Sequence, residues 1–388
     1  MSNIRVKCLN PIAGCGLEML PDNYEVTDDD DAEAILVRSA VMHDMELSDK
    51  LLTVARAGAG VNNIPLEKCA EKGIVVFNTP GANANGVKEL TIAALLLSAR
   101  DIAGGIRWCK DNASDPDIAK SAEKAKKQFA GTEIKGKKIG IIGLGAIGVI
   151  VANAANRLGM DVYGCDPYLS IENAVNMIRD VTMVKSNEEL YEICDYLTIH
   201  VPLLDSTKGM LNKDAFDRMK DGVTILNLSR DTLVNEDDLR DALQSGRVGH
   251  YFVDFPSPVT VNLPNTTVTP HLGASTQESE DNCAKMAARE IRDYIDNGNI
   301  RNSVNYPNVD AGICQTDGRI TILHKNLPKL LTQFTNIFAK DNINIENMWN
   351  KSKGDYAYTI LDVCSAITEE VISEIEGIPG VIRVRAIK

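Results

Sequence analysis

From residue 138 to residue 271 the chain alternates between two textures, and this alternation limits its fold more than any other feature. Short runs rich in β-branched residues ("KIGIIG", "DVYGCD", "VTMV", "DYLTIHVPL", "VTILNLSR", "YFVDF", "TTVTPH") are separated by helical stretches such as "AIGVIVANAANRLG", "NEELYEIC", "KDAFDRM" and "NEDDLRDALQSG". Strands that are apolar throughout, without a polar face, have to be buried on both sides, so helices must cover both faces of a parallel sheet. The expected class is α/β, a doubly wound Rossmann-like sheet. Gly159 follows the first helix and is expected to cap its C-terminus.

The same alternation recurs on a smaller scale in residues 1–92, with "IRVKCLN", "AILVRSA", "LLTVARAGAG" and "GIVVFNTP" as strands. A second Rossmann-like domain is therefore expected, joined to the first by the apolar helix "VKELTIAALLLSARDI". The helix "ESEDNCAKMAAREIRDYIDNG" should return to it, giving a discontinuous substrate-binding domain of 1–92 plus 283–302 around a dinucleotide domain of 93–282. Residues 303–318, "SVNYPNVDAGICQTDG", read as a linker. Residues 319–388 then spell βαββαβ, a small ferredoxin-like domain of their own.

Composition narrows the function classes. A formal net charge of −13 argues against nucleic acid or an anionic membrane surface as a partner, since both demand clustered Lys and Arg. Nine cysteines, an odd number with no CxxC pair, indicate reduced thiols rather than a disulfide framework or a zinc site, and no metal is expected. The acidic run "TDDDDAEA" reads as a solvated loop. The first residues lack the apolar core of a signal peptide, and the most apolar helix is too short to span a bilayer, so the cytoplasm is the expected location.

The run "KIGII" leads into "GLGAIG", which sets Gly143, Gly145 and Gly148 in GxGxxG spacing between a strand and a helix. Gly143 permits the tight turn, Gly145 admits a pyrophosphate to the backbone, and Gly148 lets helix and strand pack closely. Free N–H groups near Ala146 and Ile147, at the positive end of the helix dipole, suit a diphosphate. Asp166 ends the next strand, eighteen residues past Gly148, where a carboxylate accepts from ribose hydroxyls and repels a 2′-phosphate. The expected cofactor is NAD.

Ligands in open α/β sheets lie beyond the carboxyl ends of the strands. Arg230, Asp254 and His271 each stand at such an end. A fixed cation beside a histidine fits oxidation of an alcohol: the guanidinium holds a carboxylate and polarises the forming carbonyl, and the imidazole takes the hydroxyl proton.

The ordered set "RAGAGVNNI", "GLGAIG", "CDPY", "HVPLLDST", "LNLSR" and "TPHLGAST" resembles the D-isomer-specific 2-hydroxyacid dehydrogenases over the first 300 residues. The resemblance implies that Arg230 and His271 are the catalytic pair, with Pro202, Thr207, Leu228, Ser229, Gly273 and Ala274 along the cofactor and Asp254 against the nicotinamide amide. It puts Ala59, Gly60 and Asn83 at the substrate carboxylate. Arg38, beside Ser39, would take a phosphate group, with Lys126 as a further candidate. The implied reaction is NAD-dependent oxidation of 3-phospho-D-glycerate. Alternatives are reduction of glycerate-type acids, or a dinucleotide sensor without turnover. A homodimer or homotetramer is expected.

Two departures from the family pattern bear on the site. Relatives carry a glutamate before a proline after the "YFVDF" aspartate, and that acid orients the histidine; here the text is "DFPSP". Asp254 is left as a possible orienting acid, Glu278 has capping-box spacing from Ser275, and Glu280 is not placed by the sequence. Asp231 also follows Arg230 where relatives often have glycine. The C-terminal βαββαβ segment resembles an ACT domain, which implies a serine effector at His324, Asn326 and Asn344. Lys329 stands where relatives have glycine.

Overall fold

The computed structural model describes residues 3–388. It comprises two compact units, one of Ala84–Thr276 and one in which the chain up to Asn83 is joined by Gln277–Lys388. The strands, numbered in chain order, are β1 (Ile4–Cys8), β2 (Tyr24–Thr27), β3 (Ala34–Val37), β4 (Thr53–Arg56) and β5 (Val75–Asn78). They are followed by β6 (Lys138–Ile142), β7 (Asp161–Cys165), β8 (Thr182–Met183), β9 (Tyr196–Ile199), β10 (Val223–Asn227), β11 (Val248–Val253) and β12 (Thr266–Val268). The last four are β13 (Gly318–Lys325), β14 (Ile345–Lys353), β15 (Tyr356–Val363) and β16 (Val381–Ala386).

In the unit of Ala84–Thr276, seven parallel strands run in the order β12-β11-β10-β9-β6-β7-β8. Every residue of β9 and β10 is buried, as the unbroken apolar runs require of strands covered on both faces. The helix Ala146–Arg157 lays Val149, Val151, Ala152 and Ala155 on the sheet. Strand order reverses between β6 and β9, which both pair directly, so the crevice at their carboxyl ends is the topological switch point.

The other unit holds a five-stranded parallel sheet, β2-β1-β3-β4-β5, with its own switch point between β1 and β3. The helix Gln277–Asn297 covers it with a stripe of Ala284, Ala287, Ala288, Ile291 and Tyr294, and the Tyr294 ring meets Phe77 edge-on at 5.9 Å. Gly16 is required here, because a Cβ would come within 2.6 Å of Ala284 Cβ. The acidic run is neutralised locally, Asp29 by Arg5, Asp30 by Lys7 and Asp31 by Lys50.

The small C-terminal sheet is antiparallel, in the order β14-β15-β13-β16, with helices Leu330–Lys340 and Glu369–Glu376 between strands as the βαββαβ pattern requires. It belongs to the same compact unit as the first sheet, which the sequence divides from it. The reason lies in residues 303–309, which are not a free linker. Tyr306 is fully buried and donates its hydroxyl to Ala70 O at 2.6 Å, Asn305 bonds both Val76 N and Ile74 O, and Val309 pairs with Ile300. Two apolar anchors hidden in a turn-rich composition tie this stretch down. Arg319 completes the tie: it is 0% exposed, forms a double ion pair with Asp362 at 2.6 and 2.8 Å, and donates to the carbonyls of Asn297, Ala311 and Gly312.

Candidate active site

The glycine loop after β6 has the shape a dinucleotide needs. Gly143 has φ 90°, and a Cβ there would meet His200 O at 2.6 Å across the switch point. A Cβ at Gly148 would run into the Gly143 carbonyl, so helix and loop touch backbone to backbone. Gly145 has nothing within 4 Å, which leaves the helix N-terminus at Ala146 and Ile147 open to an anion. Asp166 accepts from Leu144 N and from Tyr168 N, both at 2.8 Å, so its carboxylate is held rigidly at the end of β7 with lone pairs to spare for hydroxyl donors. The residues present therefore fit a dinucleotide.

The loop after β9 is closed by Thr207, whose hydroxyl donates to Pro202 O at 2.7 Å and accepts from Leu204 N at 2.8 Å. Ser229 donates to Ile199 O at 2.6 Å, and Leu228 is buried beneath it. Sequence reasoning passed over His200, at the end of β9. Its Nε2 bonds Thr198 Oγ1 at 3.0 Å while Nδ1 is buried without a partner. Burial lowers its pKa to about 4, so it is neutral at physiological pH.

Arg230, Asp254 and His271 follow β10, β11 and β12, three neighbouring parallel strands. Two strand spacings put the outer pair about 10 Å apart along one edge of the sheet. Asn227 fixes the first of them: this fully buried amide donates to Arg230 O at 2.8 Å and to Tyr251 Oη at 3.1 Å. A lone amide ending the apolar run "VTILN" was the signal available for it. Arg230 Nη1 donates to Ser229 O at 2.6 Å, which leaves the remaining guanidinium donors available.

Asp254 is 1% exposed and does not orient the His271 ring, contrary to one option left by the sequence. Its Oδ1 accepts from Thr269 Oγ1 at 2.5 Å and Leu272 N at 2.8 Å, and its Oδ2 from Gly273 N at 2.7 Å, while its carbonyl accepts from His271 N at 2.9 Å. The carboxylate thus holds the loop backbone on both sides of the histidine. His271 is exposed, has a left-handed φ of 57°, and rests on Phe255 at 4.7 Å between ring centroids. Its ring nitrogens have no hydrogen-bond partner among the described residues. Where relatives place an acid, this chain presents an aromatic face.

Two further options also fall away. Ser275 lies two residues before the helix Gln277–Asn297 and donates to His271 O at 3.2 Å, so it braces the histidine loop rather than forming a capping box with Glu278. Glu280 pairs with Arg38 at 2.6 Å. Arg38 itself follows β3 at the switch point of the five-stranded sheet. There Asn10 Oδ1 gathers the N–H groups of Arg38, Ser39 and Ala40 at 3.0, 3.0 and 2.9 Å. Nearby, Arg56 donates to Arg38 O at 3.0 Å, and Asn78 to Ala59 O at 2.6 Å, which shapes the turn leading into Gly60. Asn83 stands just before the helix Ala84–Ala99. Lys126, in the other unit, is exposed and pairs with Glu123.

In the C-terminal sheet, His324 is buried and commits both nitrogens, to Lys325 O at 2.8 Å and Thr359 Oγ1 at 2.9 Å. Asn326 and Asn344 are exposed and make single contacts, with Gly354 O and Glu346. Lys329 takes φ 72° before its helix, keeping the left-handed turn that glycine would occupy at a cost of about 1 kcal/mol.

A nucleotide-binding loop at one switch point and an arginine and a histidine on the same sheet edge describe a dinucleotide-dependent dehydrogenase. Residues 92–273 match the NAD-binding domain of the D-isomer specific 2-hydroxyacid dehydrogenases, and the chain belongs to that family. It is similar to the D-3-phosphoglycerate dehydrogenase of Haemophilus influenzae, 31% identical over 88% of this chain and 83% of that one. The Rattus norvegicus enzyme of the same name is 36% identical over 71% of this chain and 51% of its own length. Among solved structures, NAD+-bound 3-phosphoglycerate dehydrogenase of Entamoeba histolytica superposes with a TM-score of 0.62 at 28% identity, covering 78% of this chain and 99% of that one.

Proposed function

We propose that this protein oxidises 3-phospho-D-glycerate at C2 with NAD, giving 3-phosphohydroxypyruvate, the first step of serine biosynthesis. The observation that carries the reading is the presentation of Arg230 and His271 from neighbouring strand ends, beside a glycine loop fit for the dinucleotide. NAD, when bound, supplies the hydride acceptor. Arg230 engages the substrate carboxylate and the C2 oxygen, and its fixed charge is worth most where the carbonyl forms. His271 takes the hydroxyl proton with an imidazole steadied by Phe255 and by its loop rather than by a carboxylate. Arg38 and the N–H groups gathered by Asn10 suit the phosphate. Arg38 must exchange Glu280 for that ligand, an exposed ion pair that costs little to open.

The test is NAD reduction followed by absorbance with 3-phosphoglycerate, D-glycerate and D-lactate. Preference for the phosphorylated acid supports the reading; preference for either unphosphorylated acid makes this a different dehydrogenase of the family. His271→Ala should lower kcat by a factor of about 100 or more with NAD affinity kept, and near-normal turnover would refute its role as base.

The C-terminal βαββαβ domain supports a second role, an ACT-like site for a serine effector. Asn326 and Asn344 offer the donors and acceptors a zwitterion needs, while His324 contributes structure only. Serine titrated into the assay decides it, and undiminished activity at saturation leaves the domain structural. Location in the cytoplasm and a homodimer or homotetramer complete the proposal; light scattering of the purified protein measures the latter. No described helix is long and apolar enough to cross a membrane.

A further inference from the structure

The helix Gln277–Asn297 and the chain that follows it line a cavity of about 490 Å³ that the dehydrogenase chemistry does not use. Glu290 lies in its wall and is 7% exposed. Its Oε1 accepts from Asn302 Nδ2 at 2.8 Å, but Oε2 is buried with no partner among the described residues. Burial pushes this carboxyl up to about 8. Native proteins rarely leave such an oxygen unsatisfied, and a group that completes its bonding is the simplest reason to keep one at a cavity wall.

The charges around Glu290 define what that group must carry. Arg292 is paired with Asp296 at 3.4 Å, and Arg301 with Asp310 at 2.6 Å and Asp293 at 3.6 Å. Arg289, exposed on the same helix, has no ion-pair partner among the described residues. A simple anion would satisfy Arg289 and leave Glu290 facing like charge; a simple cation would do the reverse beside three guanidiniums. A molecule with both charges meets both needs. The apolar part of the lining is Met286 and Ile313, the latter 70% exposed, and neither is aromatic.

We propose that this cavity binds an α-amino acid with an aliphatic side chain, its ammonium on Glu290 Oε2, its carboxylate on Arg289 and its side chain against Met286 and Ile313. The inference stands apart from the dehydrogenase reading and from the effector site in the C-terminal sheet.

L-Norvaline serves as probe in titration calorimetry of the full-length protein, with butylammonium and pentanoate as its two halves. Norvaline should bind at one site per chain, and each half at least tenfold more weakly. An ammonium drives the Glu290 proton off, so at pH 7 binding should release about 0.9 proton per site, read from buffers of different ionisation enthalpy. Glu290→Gln, which keeps the shape, should weaken norvaline at least tenfold and abolish the proton release. Arg289→Ala, a surface change, should weaken it to a similar degree and retain the release. Both variants should keep wild-type circular dichroism and turnover, so a failure here is separable from failure of the catalytic reading. Absence of norvaline binding at millimolar concentration, equal binding by either half, or insensitivity to either variant overturns the proposal.

Discussion

Replacing Asp254 by asparagine tests the central claim about the site, that this carboxylate works by holding the histidine loop. Its two oxygens accept from one hydroxyl and two backbone N–H groups, at 2.5, 2.8 and 2.7 Å, all from residues 269–273. An asparagine has one carbonyl oxygen, so one side of the loop must lose its acceptor and face an NH₂ group instead. Hydrogen bonds to a charged acceptor are worth about 1.5–3 kcal/mol each, and a buried donor left unmade adds a comparable penalty. The loop also carries His271 in a left-handed conformation, which costs about 1–2 kcal/mol. The bonds from His271 N to Asp254 O and from Ser275 Oγ to His271 O survive the change and offset part of the loss. A net penalty of about 2–4 kcal/mol lowers the population that presents the imidazole by about 30- to 1000-fold. The assay is kcat at saturating NAD and hydroxy acid, with NAD affinity measured separately by fluorescence titration. Thr269→Val removes only the hydroxyl donor and should cost less than about tenfold. Turnover of the asparagine variant within about threefold of wild type, or a defect confined to NAD affinity, would refute the bracing role and favour a direct contact with the cofactor.

Three other perturbations have defined outcomes. Gly148→Ala drives a methyl into the Gly143 carbonyl and should cost about 1–3 kcal/mol of stability and most NAD binding; unchanged cofactor affinity would mean that the loop adapts freely. His200 has its pKa lowered to about 4 from an ordinary 6.5, so its stability contribution is complete above that ordinary value and is lost as pH falls toward 4. Denaturant titrations of wild type and His200→Gln should therefore converge in the variant's favour by about 1.3 kcal/mol between pH 7.5 and 5.5, and parallel curves would show that the imidazole is solvated. Arg319→Ala strands Asp362 in the buried centre of the C-terminal sheet, where uncompensated charge costs about 3–5 kcal/mol; a loss below about 1 kcal/mol in the unfolding midpoint analysis contradicts that burial.

The class of this protein was fixed by local sequence. Unbroken apolar strands, helical periodicity between them and the GxGxxG turn demand a doubly wound sheet, because each is a short-range consequence of backbone geometry and of burying both faces. Arg230 and His271 were legible for the same reason: strand ends define the ligand edge, so a polar residue there is conspicuous. The partners of those residues were decided only by tertiary structure. That Asp254 serves the loop backbone, that Phe255 backs the imidazole, that Asn10 gathers Arg38 and its neighbours, and that Glu280 closes on Arg38 all depend on segments up to 242 residues apart meeting in space. The boundary between domains misled for a related reason. Residues 303–309 have the composition of a linker, yet burying Tyr306 and Val309 joins the last sheet to the first, and a composition average carries no record of which two side chains find a pocket.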